Sequence, residues 1–508
     1  MSNSGRIAKN TFYLYFRSLL VLFISLYTSR VILRTLGVVD YGIFNVVGGV
    51  IGMLSFLSSN MKSTYLRFLN VEMGHGNMDG VKSVFRSSLT TQFLLAVFVV
   101  ILAETIGLWF LNNKLIIPME RMDAAFWVYQ SVVLSFLINI LIAPFGAAIT
   151  AFEHMGAFAV ISLIDAALKL GIVLLLEYVH QDKLIIYAFL LVFVNVLNVF
   201  FYYFYCKSHI PIAGIGLNWD KKNLRSMFSF SGWSIIDLLS QMLKSQGINI
   251  VLNLFFGPTV NAARGVSSQV HNAVNQFVHN FQTSFRPQLT RSYASGDYDY
   301  MKHLYYSATK ISYYLIFTLS LPIILETPYI LHLWLGDHVP PYTVIFTRLV
   351  LLTSFVSAFA NPTSCIVYAT GRIKWFSIIV SGLNLMILPI AYFFLWLGYG
   401  PVSALLVSLV MTVLVQLTRI IVTSRMTVLN LSDYFRHAVI PTIIYSILAP
   451  WIAFALIRIM PVGIARLVLT SILSVASSLL FAWLVGLNKQ EKLVALSKLS
   501  SLYAKHKQ

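Results

Sequence analysis

Apolar runs of about 20 residues recur from one end of this chain to the other. In helical form a run of that length matches the roughly 30 Å hydrocarbon thickness of a bilayer. LIIYAFLLVFVNVLNVFFYYFYC at 184–206 is one such run, and LLVLFISLY at 19–27 and FLLAVFVVIL at 93–102 lie within others. Hydrocarbon offers no water to an exposed backbone, so the expectation is an all-α polytopic membrane protein. About fourteen spans are expected, centred near residues 23, 53, 96, 135, 166, 195, 240, 274, 315, 355, 385, 412, 448 and 474. They leave no connecting segment long enough for a soluble domain, so function must lie among the helices. The first run lacks a small-residue cleavage pattern and reads as a retained helix. Cys206 and Cys365 are too few and too separated to suggest a disulfide framework or a metal site.

The cations orient the chain. With an even number of spans both termini share one side, and that side collects 23 of the 36 Lys and Arg residues against 8 on the other. The bias matches the positive-inside rule and places both termini in the cytoplasm. It accounts for most of the net charge of +18 without nucleic acid. Arg17, Lys62, Lys169, Lys244 and Arg264 remain inside the expected spans, where each would cost roughly 2.5 to 3.5 kcal/mol if it faced lipid. They need a wet or paired environment.

A shift of 220 residues lays the second and eighth spans over each other without a gap, matching Gly37 with Gly257, Asn60 with Asn280, Gly76 with Gly296, Asp79 with Asp299 and Lys82 with Lys302. A slightly shorter shift matches Pro144 with Pro362 and Phe158 with Phe376. The order of these matches implies two six-helix repeats, an N-lobe over 1–210 and a C-lobe over 211–430. Two appended helices follow over 431–488, then a basic cytoplasmic tail over 489–508. Six is even, so equivalent helices run the same way and the lobes are expected to flank a cavity.

Polar residues at helical spacing supply a lining for it. Arg264, Ser268, His271, Asn275, His279, Gln282 and Arg286 advance by three or four and form one stripe on the eighth span. Tyr41, Asn45, Gly48, Gly52, Ser55, Ser59 and Lys62 do the same on the second, and Ser234, Asp237, Gln241 and Lys244 on the seventh. Small and polar residues also glue membrane helices together, and the Gly and Ser positions fit that equally well. The cations fit a water-filled cavity better. Arg17, Asn45, Lys62, Gln241, Lys244, Arg264, His271, Asn275 and His279 are therefore the candidate substrate-binding residues. The same 220-residue shift carries Arg17 onto Asp237, which makes these two a candidate gate. Asp165 is a candidate for ion coupling, although Lys169 stands one helical turn away and can neutralise it.

The runs LGVVDYGIFNVVGGVIGMLSFLSSNMKSTYLRFLNVEMG and NLFFGPTVNAARGVSSQVHNAVNQFVHNFQTSFRPQLTRSYASGD resemble the polysaccharide-transporter branch of the multidrug/oligosaccharidyl-lipid/polysaccharide (MOP) exporter superfamily, which includes Wzx-like O-antigen and capsule flippases. The resemblance implies a MATE-like fold of two lobes in a bacterial inner membrane. It implies a cargo of undecaprenyl-diphosphate-linked oligosaccharide, and as partners membrane lipids and polysaccharide polymerase machinery. It implies no cofactor beyond an H+ or Na+ gradient as energy source. Members place arginines in the first, second and eighth helices. Arg17 and Arg264 match two of these, while the second helix offers either Lys62 in its span or Arg67 near its end.

A diphosphate calls for Arg and Lys, and sugar hydroxyls for Asn, Gln, Ser and His. A drug/cation antiporter of the same superfamily would need an acidic cavity, and the acids within the spans are few. A lipid-linked peptidoglycan precursor flippase stays open. A membrane glycosyl polymerase or ligase would need a sizeable external loop bearing catalytic groups. The longest external segment, ETPYILHLWLGDHVPPY, is short and lacks them, so the chain is not read as an enzyme.

Overall fold

The computed structural model describes residues 3–52, 54–74, 76–152, 154–211, 216, 218–370, 373–488 and 491–492, with side chains from Arg17 onward except at some helix positions. The side chains of Asp237, Arg67 and Arg286, and the tail beyond 492, lie outside them. Among the described residues every regular element is a helix. Among the described residues eleven helices are long and apolar enough to cross a membrane, from Arg17–Gly52 to Ile464–Gly486. Three more long helices, Ser55–Gly74, Lys221–Phe256 and Pro258–Ala294, do not meet that standard of apolarity. They include most of the segments on which the sequence sets its polar stripes.

The internal repeat is written into the backbone. Gly37 kinks the first long helix with φ 80°, and its repeat partner Gly257 has φ 72°. Gly76 and Gly296, a second matched pair, have φ 69° and 76°. Positive φ is easy for glycine and strained for other residues. Pro258 follows Gly257 and opens its helix, a place where a missing N–H is no loss. The equivalence extends to caps: the Asn77 side chain accepts from Gly80 N at 2.9 Å, and that of Asp297, 220 residues on, accepts from Tyr300 N at 3.2 Å. Of the matched prolines, Pro144 is buried inside Met122–Ala151, and Pro362 falls two residues into Ala360–Thr370, after a short break.

The chain divides into two compact units, Met1–Gly265 with Leu395–Pro401, and Val266–Phe394 with Val402–Gln508. In the first, Met122–Ala151 packs on Lys183–His209, Met155–Leu175 packs on the kinked N-terminal helix, and Lys221–Phe256 packs on Ser55–Gly74. Its core joins Tyr65, Phe85 and Cys206 to the small residues Ala147 and Ala148, which let backbones approach closely. In the second unit Phe317, Leu351 and Tyr445 form one cluster and Leu289, Tyr305, Ile366 and Tyr434 another. Hydroxyls within the helices bond back one turn, as Thr91 does to Ser87 O at 2.8 Å, which satisfies them where water is absent.

Candidate anion site

The helix Met155–Leu175 carries Phe158, Ser162, Asp165 and Lys169 at spacings of four, three and four, so they share one face. Two cations from other helices converge on its first turns. The Arg17 guanidinium carbon lies 4.8 Å from the centre of the Phe158 ring, and Lys62 Nζ lies 5.2 Å from the same centre. Room for Lys62 comes from Gly146, where a Cβ would stand 3.3 Å from Nζ. Among the described residues neither cation joins an ion pair, and Arg17 Nε is buried without a hydrogen-bond partner.

Two turns further along the helix both oxygens of Asp165 are engaged. Lys169 Nζ donates to Oδ2 at 2.9 Å and Asn198 Nδ2 donates to Oδ1 at 2.6 Å. Asn139 donates to Asn195 Oδ1 at 3.0 Å beside them. Arg17, Asn139, Ser162, Asp165, Lys169 and Asn198 line a cavity of about 290 Å³. Together with Lys62, which meets Arg17 at the Phe158 ring, the described group holds three cations and one carboxylate. Like charges gathered in a poorly screened place repel strongly, so an anion bearing two charges would relieve them.

No family model matches the chain. It is 22% identical over 282 residues to an uncharacterised membrane protein, EpsK, of Bacillus subtilis (strain 168), a match over 55% of each chain and so about half the length of that relative. In three dimensions it resembles the lipid II flippase MurJ in an inward closed conformation, at 13% identity and TM-score 0.68 over 94% of this chain and 98% of that one. It also resembles an inward-facing multidrug resistance MATE family transporter of the MOP superfamily, at 14% identity and TM-score 0.65 over 80% and 97%. A MOP superfamily transporter from Pyrococcus furiosus matches at 14% identity and TM-score 0.61 over 82% and 95%. The chain shares the fold of these solved structures.

Within that fold the other sequence candidates take distinct places. Asn45 donates to Tyr41 O at 2.7 Å and packs against Gly265, where a Cβ would stand 2.8 Å from Oδ1. Gln241 is exposed, and Lys244 and Arg264 are half-buried. In the second unit His271 Nδ1 meets Ser354 Oγ at 2.7 Å, and Asn275 Nδ2 donates to the same hydroxyl at 3.2 Å. Gln282 donates to Ala358 O at 3.1 Å. These three groups of the stripe bond a neighbouring segment, while His279 is exposed together with Asn272 and Gln276. The exposed polar row thus keeps His279 from the stripe the spacing picked out and replaces His271 and Asn275 by Asn272 and Gln276, one position on.

Several groups escaped the sequence reading. Phe158 looked like one more apolar residue. Asn139, Asn195 and Asn198 lie in apolar runs, where a carboxamide is costly unless bonded, and that cost was the available signal. Arg121 bonds Asp40 through Nε and Nη2 at 2.9 and 2.6 Å and Asp182 through Nη1 and Nη2 at 2.6 and 3.1 Å. Burial works against the Asp182 carboxylate, yet Arg121 and the Ile185 and Leu184 amides hold its pKa below the ordinary value. Lys310 and Arg419, not among the cations expected inside the spans, are buried in helices.

Proposed function

We propose that this protein is a flippase that moves an undecaprenyl-diphosphate-linked oligosaccharide, the repeat unit of a surface polysaccharide, across a bacterial inner membrane by alternating access. The observation that carries this reading is the pair Arg17 and Lys62 on one aromatic ring, in a group with two more positive charges than negative. A diphosphate suits such a pair, since each cation offers several donors to oxyanions. The neighbouring carboxamides and hydroxyl suit sugar. A prenyl chain can stay in lipid while the head group crosses. An H+ or Na+ gradient would supply the energy, both termini would be cytoplasmic, and polymerase machinery would take the product.

A second reading, a lipid-linked peptidoglycan precursor as cargo, draws support from the likeness to the lipid II flippase over nearly the whole chain. It shares the diphosphate and differs only in the sugar. A drug/cation antiporter fits poorly, because the group repels a cation. The test is reconstitution in proteoliposomes with fluorescent undecaprenyl-diphosphate glycans of both kinds. Wild-type protein should expose the label on the far leaflet, and Arg17→Ala and Lys62→Ala should each slow this at least tenfold. Equal rates in both variants and wild type would overturn the anion reading.

A further inference from the structure

An arginine and a lysine in a membrane helix are normally met by an acid, yet Arg17 and Lys62 are met by the neutral ring of Phe158. A ring face attracts a cation through its quadrupole and leaves the N–H donors and the full charge available. A carboxylate would take both. Asp165 lines the same cavity as Arg17, and it stands seven residues beyond Phe158, about 10 Å along the helix axis. Its two oxygens are already held by Lys169 and Asn198. Lys169 is tethered one turn from Asp165 on the same helix, so it keeps that carboxylate at little entropic cost.

We propose that Phe158 and Lys169 are the positioning residues of a diphosphate subsite. Phe158 holds Arg17 and Lys62 side by side without neutralising them, and Lys169, with Asn198, sequesters Asp165, the one carboxylate among the described residues that line the cavity. The ligand class is a doubly charged phosphate anion, met as the diphosphate of a lipid-linked substrate. This rests on the anion reading of the same site. It adds that the aromatic ring and the Asp165–Lys169 pair set the affinity although neither supplies the main charge to the ligand.

The probe is inorganic pyrophosphate, titrated calorimetrically into the full-length protein in detergent, with gel filtration to verify folding. Phe158→Leu should weaken binding roughly tenfold, since a desolvated cation–ring contact is worth about 1 to 2 kcal/mol and each 1.4 kcal/mol is tenfold. Phe158→Tyr, which keeps the ring face, should stay within about threefold of wild type. Lys169→Ala should weaken binding by a similar factor because Asp165 becomes free to capture Arg17. Asp165→Asn in that background should restore it, and Asp165→Asn alone should change little. Undiminished binding by folded Phe158→Leu, or tighter binding by Asp165→Asn alone, would overturn the proposal, the latter because the charges would then act only as a summed field. Arg17→Ala separates the two levels. If it abolishes binding while Phe158→Leu and Lys169→Ala leave the affinity unchanged, the anion site stands and the positioning fails; if it leaves binding intact, both fail.

Discussion

Lys310 and Glu491 form a 2.7 Å ion pair across 181 residues of sequence, with side chains 5% and 11% exposed. Lys310 also donates to Gly486 O at 3.1 Å, and Asn488 N donates to Glu491 Oε2 at 2.8 Å. The pair pins the segment after the last apolar helix to Tyr298–Leu325. Breaking such a buried pair from one side costs about 3 to 5 kcal/mol, whereas replacing both partners with apolar groups is close to neutral. Lys310→Ala and Glu491→Ala should each lower the melting temperature clearly, and Lys310→Met/Glu491→Met should recover most of it. Additive losses in the double variant would mean that the two do not act as a pair.

The same pair fixes a pH dependence. Burial opposes the Glu491 carboxylate, but bonds from Lys310, Ser307 and the Asn488 amide outweigh it and hold the pKa below the ordinary 4.5. A group whose folded pKa is lowered contributes fully above its unfolded value and loses that contribution as the pH falls through the folded one. The melting-temperature advantage of wild type over Glu491→Gln should therefore be full at pH 6 and above and shrink as the pH drops below about 4.5. A constant difference down to pH 3 would count against the pair.

Arg121 holds two carboxylates, each by two hydrogen bonds, which only a guanidinium can do. Arg121→Lys should cost about 1 to 3 kcal/mol despite keeping the charge, because partly buried acceptors lose donors. Thermal unfolding followed by fluorescence in detergent would measure it. A stability equal to wild type would show that a single point charge suffices there.

Glycine substitutions separate two backbone causes. At Gly42 a Cβ would stand 1.9 Å from the Pro258 carbonyl oxygen, so Gly42→Ala should fail to yield stable protein. At Gly37, where φ is +80° and nothing lies within 4 Å, Gly37→Ala should cost only the strain of positive φ, about 1 to 2 kcal/mol. Gly48, with ordinary φ and open space, should accept alanine without loss. Expression and melting temperature of the three variants give the order.

Single cysteines along Pro258–Ala294, on a background lacking Cys206 and Cys365, would map its wet face. Positions 272, 276 and 279 are exposed and should react with a small hydrophilic maleimide, whereas Val266, Val270 and Val274 are buried and their replacements should resist. Positions 271 and 275, bonded to Ser354, should react slowly. Labelling of 272, 276 and 279 by an apolar reagent alone would mean that this row faces lipid.

Periodicity and repeat spacing are properties of a single chain segment, and they transferred well. The apolar runs require helices, the shift of 220 pairs glycines that share positive φ and residues that share a capping role, and the valines between the polar positions of 264–282 are indeed buried. What spacing reports is which side of a helix is polar, not what stands opposite it. His271 and Asn275 belong to the stripe, yet Ser354, 83 and 79 residues away, is what they meet. The meeting of Arg17, Lys62 and Phe158, the hold of Arg121 on Asp40 and Asp182, and the pairing of Lys310 with Glu491 were decided only by tertiary packing. Each joins side chains from separate segments of the chain. A cation in a low-dielectric medium takes whichever ring or carboxylate the packing brings within about 5 Å, and that proximity is not encoded in any one helix.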